Sequence, residues 1–348
     1  MSLIATLSQE FRAQAPEFDR FEFRVTRAGT LAVFKKQTAQ VGSFVTQDLQ
    51  DKFYRSFGNT VKVPYINYKD VTIRTTRPLT IPDDENTSGF YTVVPVTFAY
   101  GFTMYPMQHY NNDVAYQEDF NAKYRAMLVK MTKAIEDTCE GVVDAAKTQV
   151  IDQVTGGHTF ASNVVSETAA SLKDSYILAD LEPMMASNDF DGMMMDILGN
   201  QGFNSIIRRM DGFSEFNTEN KTLQFDNKDF HFSNSVDNAV GKVGTGYAIA
   251  PNHLGMLYRV EPDSVFRTTL PDGHEWGEVV VPGLEIPFGT YMYRKAVALD
   301  GNANVSSNLE RTTVIAMDFA VDLAFIVAHN SDRATIPSGI IKFDVATA

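Results

Sequence analysis

Apolar residues recur at every second position in two stretches of residues 61–105. The first stretch begins with Val61 and Val63, and the second runs from Phe90 to Phe102 after a charged segment rich in Asn, Thr, Ser and Gly. A period of two is typical of β-strands, because successive side chains point to opposite faces. The pattern therefore predicts a long β-hairpin with a polar tip.

Prolines interrupt both strands of this hairpin, at Pro64, Pro78, Pro82 and Pro95. Proline has no N–H to donate to a ladder, so these strands are expected in a two-stranded ribbon and not inside a wide sheet. A long two-stranded hairpin is only marginally stable in water when no second layer packs against it. We therefore expect the ribbon to need an external partner.

A pattern with the period of an α-helix follows over residues 113–154. Asn112 or Asp113 is a favourable N-cap, and Gly156 and Gly157 form a typical stop. A helix of roughly forty residues would be about 60 Å long. A coiled coil is the alternative, but the flanking charge pattern is poor and no second long helix is predicted. The apolar positions that define the pattern are Phe120, Tyr124, Met127, Leu128, Met131, Ile135, Val142, Val143, Ala146, Val150 and Ile151.

The rest of the chain has mixed patterns that together predict an α+β fold. After residue 166, "SLKDSYILADLEPMMA" and "GFNSIIRRM" are typical of helices, whereas "FDGMMMDIL", "KDFHFSNSV" and "GTGYAIAP" are typical of strands. Residues 314–328 are apolar at every second place, with Asp318 and Asp322 opposite, which favours a half-buried strand. Residues 1–57 mix aromatic residues and arginines without a sustained period, so we expect an extended arm there.

Composition and charge exclude several classes of protein. The 348 residues are 44% apolar and 21% charged, as in an ordinary folded protein, and the longest apolar stretch is too short to span a bilayer. No secretory signal is predicted, and the single Cys139 fits a reducing compartment. The net charge is −13, yet residues 20–77 carry a balance of +7, which leaves about −20 for the remainder. The acidic remainder argues against general nucleic-acid binding, although the basic segment would suit phosphates or the acidic body of another copy.

No group of residues predicts catalysis, a cofactor or a metal ion. The six histidines are scattered and show none of the spacings of zinc sites. "GKVGTGY" lacks the residue order of a phosphate-binding loop, and the methionines around residue 190 are more typical of core packing than of metal binding. The acidic residues 83–85 could bind a divalent cation but are more typical of a charged hairpin tip. Asp272, His274 and Glu275 are acid/base residue types, but the sequence places no nucleophile or partner beside them.

The order of these elements resembles the major capsid proteins of tailed bacteriophages, the Hong Kong 97-type fold. The hairpin at 61–105 corresponds to the extended loop of that family, and the helix at 113–154 corresponds to its spine helix. "FDGMMMDILGNQGFNSIIRRM", "FHFSNSV" and "GTGYAIAPNHLGML" are similar to the strand–helix–strand pattern of its axial domain. Residues 311–345 would then complete its peripheral domain. The resemblance covers essentially the whole chain and rests on architecture, without an invariant motif.

The resemblance implies a division of the chain into regions. They are an N-terminal arm (1–57), an extended loop (58–107), a peripheral domain with the spine helix (108–165), a mixed α/β axial domain (166–304) and the β-rich return strands of the peripheral domain (305–348). The apolar side of the extended loop would lie on a neighbouring subunit. The candidate intersubunit residues are Arg74, Arg77, Asp83, Asp84, Glu85, Val94, Val96, Phe98 and Phe102.

The resemblance also implies a function. Copies of the chain would assemble in the host cytoplasm into hexamers and pentamers of an icosahedral virion capsid that encloses double-stranded DNA without sequence preference. Portal, scaffold and decoration proteins are implied partners, and no membrane, cofactor or enzymatic activity is implied. A bacterial nanocompartment (encapsulin-like) shell protein would have the same fold and is the nearest competing hypothesis. A tail-tube or decoration protein would also use a long hairpin. A cytoplasmic enzyme is the least favoured hypothesis, because the sequence shows no convergent polar pocket.

Overall fold

Two β-sheets, a two-stranded ribbon and a long helix are the main parts of the architecture. A computed structural model describes residues 29–56, 60–67, 75, 87–106, 113–147, 158–161, 164–169, 177–188, 190, 194–209, 215–217, 222–225, 228–237, 240–260, 270, 272–281, 284–298, 311–328 and 338–347. The described helices are α1 (Gly29–Ala39), α2 (Gln47–Tyr54), α3 (Asp113–Ala146), α4 (Ile177–Ser187) and α5 (Gln201–Arg209). The described strands are β1 (Val61–Asn67), β2 (Thr87–Val93), β3 (Val96–Met104), β4 (His158–Ala161), β5 (Val164–Ala169), β6 (Asp196–Gly199), β7 (Glu215–Asn217), β8 (Thr222–Phe225), β9 (Lys228–Phe232), β10 (Gly244–Ile249), β11 (Leu254–Arg259), β12 (His274–Val281), β13 (Ile286–Ala298), β14 (Arg311–Val327) and β15 (Ile340–Thr347).

The strands form one eight-stranded sheet, one five-stranded sheet and a two-stranded ribbon. The eight-stranded sheet has the order β4-β5-β15-β10-β6-β9-β8-β7, and the ribbon consists of β1 and β2. In the five-stranded sheet, β14 pairs with β11 and β13 along one edge and with β3 along the other. The long strand β14 is therefore the centre of the smaller sheet.

The pattern of β14 confirms the half-buried strand predicted at 314–328. The apolar residues at alternate positions from Met317 to Val327 join the main core with α3, while Asp318 on the opposite face is exposed. Ala324 and Ile326 also lie on that opposite face, yet both are buried. They are buried because α2 and the ribbon cover this end of the sheet.

Helix α3 is the long helix that the sequence predicts. It contains 34 residues and would be about 51 Å long at the usual rise per residue. From Phe120 to Ala146 its apolar side is buried against the five-stranded sheet, α1 and Tyr247 of the eight-stranded sheet. The predicted continuation to residue 154 and the glycine stop lie outside the described residues.

The eight-stranded sheet is buried on both of its faces at its centre. In β10, Tyr247 and Ile249 point into the core shared with α3, whereas Ala248 points into a second core formed with α4 and α5. The helices and strands predicted after residue 166 from "SLKDSYILADLEPMMA", "GFNSIIRRM" and "GTGYAIAP" are present as α4, α5 and β10.

The extended arm predicted for residues 1–57 is wrong for residues 29–56, which contain α1 and α2. Leu31, Val33 and Phe34 are all at most 2% exposed, so α1 is enclosed from several sides by the two sheets and α3. The buried side of α1 also includes the polar residues Thr30 and Gln37, so its apolar stripe is incomplete and its sequence lacks a clear helical period.

The boundary predicted at residues 304 and 305 does not follow the sheets. Strands β11 to β13, expected in the axial region, belong to the same sheet as β14. Strand β15, expected among the peripheral return strands, lies between β5 and β10 in the other sheet. The chain thus crosses between the two sheets twice after β10. Pairing between strands so distant in sequence depends on register, which local patterns do not contain.

Candidate assembly surface

The surface that the sequence assigns to a neighbouring copy is a ribbon of two antiparallel strands, β1 and β2. Its register runs from Val61 opposite Val93 to Asn67 opposite Thr87. Seven residues per strand give it a length of about 23 Å. The segment 68–86 that connects the two strands lies outside the described residues, apart from residue 75.

The second strand of the predicted hairpin divides at Val94 and Pro95 into strands of two different sheets. β2 pairs with β1, whereas β3 pairs with β14 of the same chain. Pro95 cannot donate a ladder hydrogen bond, so the chain changes partner there. The prediction of one unbroken hairpin to residue 105 is therefore wrong.

The base of the ribbon is anchored on its own chain. Val61 and Val63 are 5% and 2% exposed and pack against Leu257 and Ile326 on the outer face of the five-stranded sheet. The Tyr91 hydroxyl donates a hydrogen bond of 2.9 Å to the carbonyl oxygen of Val327. These contacts fix the direction in which the ribbon leaves the body.

The opposite side of the ribbon is exposed and partly apolar. Phe90 is 69% exposed and lies opposite Pro64 in the register. Val94, which follows β2, is 66% exposed, and Val96, the first residue of β3, is 39% exposed. Large apolar side chains that are exposed close together mark interaction sites more often than isolated ones do.

The structure separates the predicted intersubunit residues into three groups. Val94 and Val96 are exposed, and their contact with a neighbour remains a prediction. Phe98 is 8% exposed and Phe102 lies 6.0 Å from the ring of Phe319, both on the side of β3 that faces α3. A neighbour cannot bury what the chain already buries, so the prediction is wrong for Phe98, whereas Phe102 is only half-buried and its contact with a neighbour stays a prediction. The remaining candidates lie outside the described residues: Arg74, Arg77, Asp83, Asp84 and Glu85.

The turns, the histidine and the methionines singled out in the sequence have structural roles. Gly241 and Gly273 adopt positive φ angles of 78° and 80° in turns before β10 and β12. The His274 imidazole stacks on Tyr293 with ring centroids 4.9 Å apart. Three of the clustered methionines are buried in the core of the eight-stranded sheet: Met184, Met185 and Met195.

A buried charged cluster under α1 was not predicted from the sequence. The Lys36 ammonium contacts the carboxylates of Asp196 and Asp229, and the Gln37 amide donates to Asp196 at 2.8 Å. His231 lies beside them, with Nε2 at 3.6 Å from Oδ1 of Asp196. The available signal was the spacing of Asp229 and His231 in "KDFHF", because residues two apart on a strand share a face.

The N-terminus of α1 is capped by a carboxylate from α3. Glu136, 1% exposed, accepts hydrogen bonds from the backbone N–H groups of Leu31 at 2.7 Å and Thr30 at 3.2 Å, and from the Ser233 hydroxyl at 2.6 Å. A negative charge at this end of a helix is stabilised by the free N–H groups and the helix dipole. Burial nevertheless raises the pKa of Glu136, although these hydrogen bonds favour the charged form.

Two carboxylates of α3 share the hydroxyl group of Tyr247. The oxygen atom lies 2.7 Å from Oε1 of Glu140 and 2.9 Å from Oδ1 of Asp144. Burial opposes ionisation of Asp144, but hydrogen bonds from Lys147, Lys342 and Tyr247 outweigh it and lower its pKa to about 2. Burial raises the pKa of Glu140. The surroundings thus shift the pKa values of the two carboxyl groups in opposite directions.

Comparison with solved structures identifies the fold. A chain from Mycobacterium phage Che8 has 8% sequence identity and a TM-score of 0.50, and the match covers 86% of this chain and 89% of that chain. This similarity shows that the chain has the same fold as that phage chain, and it confirms the α+β class of fold predicted from the sequence.

Two further solved structures are also similar. The capsid structure of cyanophage P-SCSP1u has 9% identity and a TM-score of 0.44 over 84% of each chain. The asymmetric unit of the bacteriophage PhiM1 mature capsid has 10% identity and a TM-score of 0.45, over 84% of this chain and 83% of that chain. No protein-family model matches the sequence, and no curated protein matches it. Among the described residues, none of the helices combines the length and the apolar character needed to cross a membrane.

Proposed function

We propose that this chain is a structural shell protein whose copies form the hexamers and pentamers of an icosahedral phage capsid around double-stranded DNA. The observation that carries the proposal is the ribbon, which is fixed at its base by Val61 and Val63 and leaves Phe90 and Val94 exposed on its other side. The phage-capsid type of fold supports the same conclusion.

A neighbouring copy is the partner that best fits the exposed side of the ribbon. Each square ångström of apolar area that a neighbour removes from water contributes about 25 cal/mol. A single ribbon therefore contributes modestly. In a closed shell each subunit contacts several others, so weak contacts add up to a stable assembly.

Under this proposal the further partners are portal, scaffold and decoration proteins, and the DNA backbone bound without sequence preference. Assembly takes place in the host cytoplasm, and the chain itself has no catalytic role.

The test is the assembly state of the full chain. Purified protein at micromolar concentration should form capsomers or hollow particles, seen by light scattering after size-exclusion chromatography and by negative-stain microscopy. Rings or tubes would favour a tail component, and shells that enclose protein instead of DNA would favour a nanocompartment. A protein that stays monomeric at that concentration would contradict the proposal.

A further inference from the structure

The charged cluster under α1 has the donor set of a metal centre. β6 and β9 are parallel neighbours in the eight-stranded sheet, with Asp196 opposite Asp229 and Leu198 opposite His231. Side chains in register on adjacent strands share a face, and so do residues two apart on one strand. Asp196, Asp229 and His231 therefore converge, and their ligand atoms all lie within 4.8 Å of one another.

One of these donors is buried without a hydrogen bond. The His231 side chain is 6% exposed, and its Nε2 atom has no hydrogen-bond partner among the described residues. The nearest carboxylate oxygen, Oδ1 of Asp196, is 3.6 Å away, which is too far for a hydrogen bond. Buried polar atoms are nearly always paired, so an unpaired imidazole nitrogen aimed at two carboxylates points to a ligand.

The position between the carboxylates already holds a positive charge. The Lys36 ammonium contacts both Asp196 and Asp229. Two carboxylates carry two negative charges, which a divalent cation in this position would balance. The Lys36 side chain is 32% exposed and reaches the cluster from the solvent side, which gives it room to turn outward.

We propose that Asp196, Asp229 and His231 form a binding site for a divalent transition-metal ion, which replaces the Lys36 ammonium. Carboxylate oxygens and imidazole nitrogen suit Zn²⁺ and its first-row neighbours, and three protein ligands leave room for a water molecule. Mg²⁺ prefers oxygen ligands only and fits the site less well. This site is independent of the proposed shell function, because its ligands lie inside one chain and away from the ribbon.

Metal binding would change how α1 is held. Lys36 would leave the cluster, while the neighbouring Gln37 would keep its hydrogen bonds to Asp196 and to the backbone N–H of Leu254 at 2.8 Å. The ion would join β6 directly to β9. Because an ion that binds only the folded state stabilises it by mass action, Zn²⁺ should raise the melting temperature of the protein.

The experiment is a Zn²⁺ titration of the full-length chain, free of any histidine tag, by calorimetry with Mg²⁺ as the comparison ion. We expect one saturable Zn²⁺ site per chain. Lys36→Met removes the competing charge and should tighten Zn²⁺ binding by about tenfold or more. His231→Gln removes a ligand and should weaken it by at least about tenfold, since even outer-sphere changes at metal sites cost that much. His274→Gln, a histidine far from the cluster, is the control and should leave the affinity unchanged.

Two calorimetric results would overturn the proposal. Absence of saturable Zn²⁺ binding in both the wild type and Lys36→Met would overturn it, and so would equal affinities in the wild type and His231→Gln. If Lys36→Met does not fold, the wild type decides the question: Co²⁺ bound by the three ligands should give visible absorption bands that are lost in His231→Gln and kept in His274→Gln. Bands that persist in His231→Gln would also overturn the proposal.

Discussion

Arg259 donates two hydrogen bonds to Oδ2 of Asp322, from Nη2 at 2.6 Å and from Nε at 3.0 Å. The same two residues contact both ends of the ribbon. Nη1 of Arg259 donates to the carbonyl oxygen of Ser56 at 2.6 Å, and the Thr97 hydroxyl donates to Oδ1 of Asp322 at 2.6 Å. Ser56 precedes the ribbon and Thr97 follows it, so the pair ties both ends to the five-stranded sheet.

Replacing Asp322 should destabilise the folded chain. Asp322→Ala removes the two hydrogen bonds from Arg259, whose side chain is 7% exposed, and the one from Thr97, and we expect a loss of about 3 kcal/mol in the free energy of unfolding. The matched control is Asp48→Ala, which breaks the exposed ion pair with Lys52, whose side chain is 71% exposed, and should cost less than about 1 kcal/mol. Urea denaturation measures both. Equal losses would show that the buried pair has no special role.

Removing apolar atoms from the outer side of the ribbon should weaken assembly without affecting the fold. Phe90→Ser combined with Val94→Ser should raise the protein concentration needed for assembly by at least about tenfold, since each buried side chain is worth about 1.5–3 kcal/mol. Light scattering measures the assembly, and the melting temperature of the dissociated chain should not change.

The control for the ribbon variant is Val240→Ser, because Val240 is a fully exposed valine in a turn before β10. It should assemble as the wild type does. If the ribbon variant and this control assemble equally well, the outer side of the ribbon is not an intersubunit contact.

Elements with a long, mostly apolar buried side could be predicted from the sequence, and a short helix with polar residues on its buried side could not. α3 and β14 each present one apolar side to the core over most of their length, so their periods of 3.6 and 2 are visible in the sequence. The buried side of α1 includes the polar residues Thr30 and Gln37, so its apolar period is incomplete. The continuous alternation from Phe90 to Phe102 conceals the change of sheet at Pro95, because β2 and β3 are both ordinary strands.

The candidate sites depended on contacts that are distant in sequence. The metal-type cluster joins Lys36 to Asp196, and Asp196 to His231, across three separate elements. Only the spacing of Asp229 and His231 was visible locally. Phe98 continues the alternation of apolar residues that begins in the ribbon, so the sequence does not distinguish it from an exposed ribbon residue. Its pairing with β14 and its burial show that it belongs to the core of its own chain.

Two glycines should respond in opposite directions to replacement by alanine. Gly141 lies inside α3, where a Cβ atom would meet nothing within 4 Å, so Gly141→Ala should raise the free energy of unfolding by about 1 kcal/mol. A Cβ atom at Gly29 would lie 2.4 Å from the carbonyl oxygen of Phe232. Gly29→Ala should therefore destabilise by about 1–3 kcal/mol, as overpacked cores do. Denaturation curves of the two variants check both signs, and a stabilising Gly29→Ala would contradict the tight packing of α1.

The carboxyl groups around Tyr247 should make the stability of the protein depend on pH in two ranges. A tyrosine hydroxyl has one proton, yet its oxygen lies within hydrogen-bond distance of both Glu140 and Asp144. Both contacts are favourable only if one carboxyl group is protonated. Glu140 fits this role, because burial raises its pKa, and it would donate to Tyr247 while Tyr247 donates to Asp144. Lys342 and Asp237 are the other charged groups that act on Glu140.

The pKa shifts of Glu140 and Asp144 make stability depend on pH with opposite signs. The raised pKa of Glu140 means that its contribution is fully present below pH 4.5 and is lost as pH rises through its pKa in the folded state. Glu140→Gln keeps a neutral N–H donor at every pH, so the wild type should lose stability relative to this variant as pH rises above 4.5. The lowered pKa of Asp144 has the opposite sign, since its contribution is present above pH 3.8 and is lost as pH falls towards 2. Asp144→Asn should therefore lose less stability than the wild type in that acid range. Melting temperatures of the three proteins across both ranges are the measurement, and parallel pH curves for the wild type and Glu140→Gln would show that Glu140 is charged beside Tyr247.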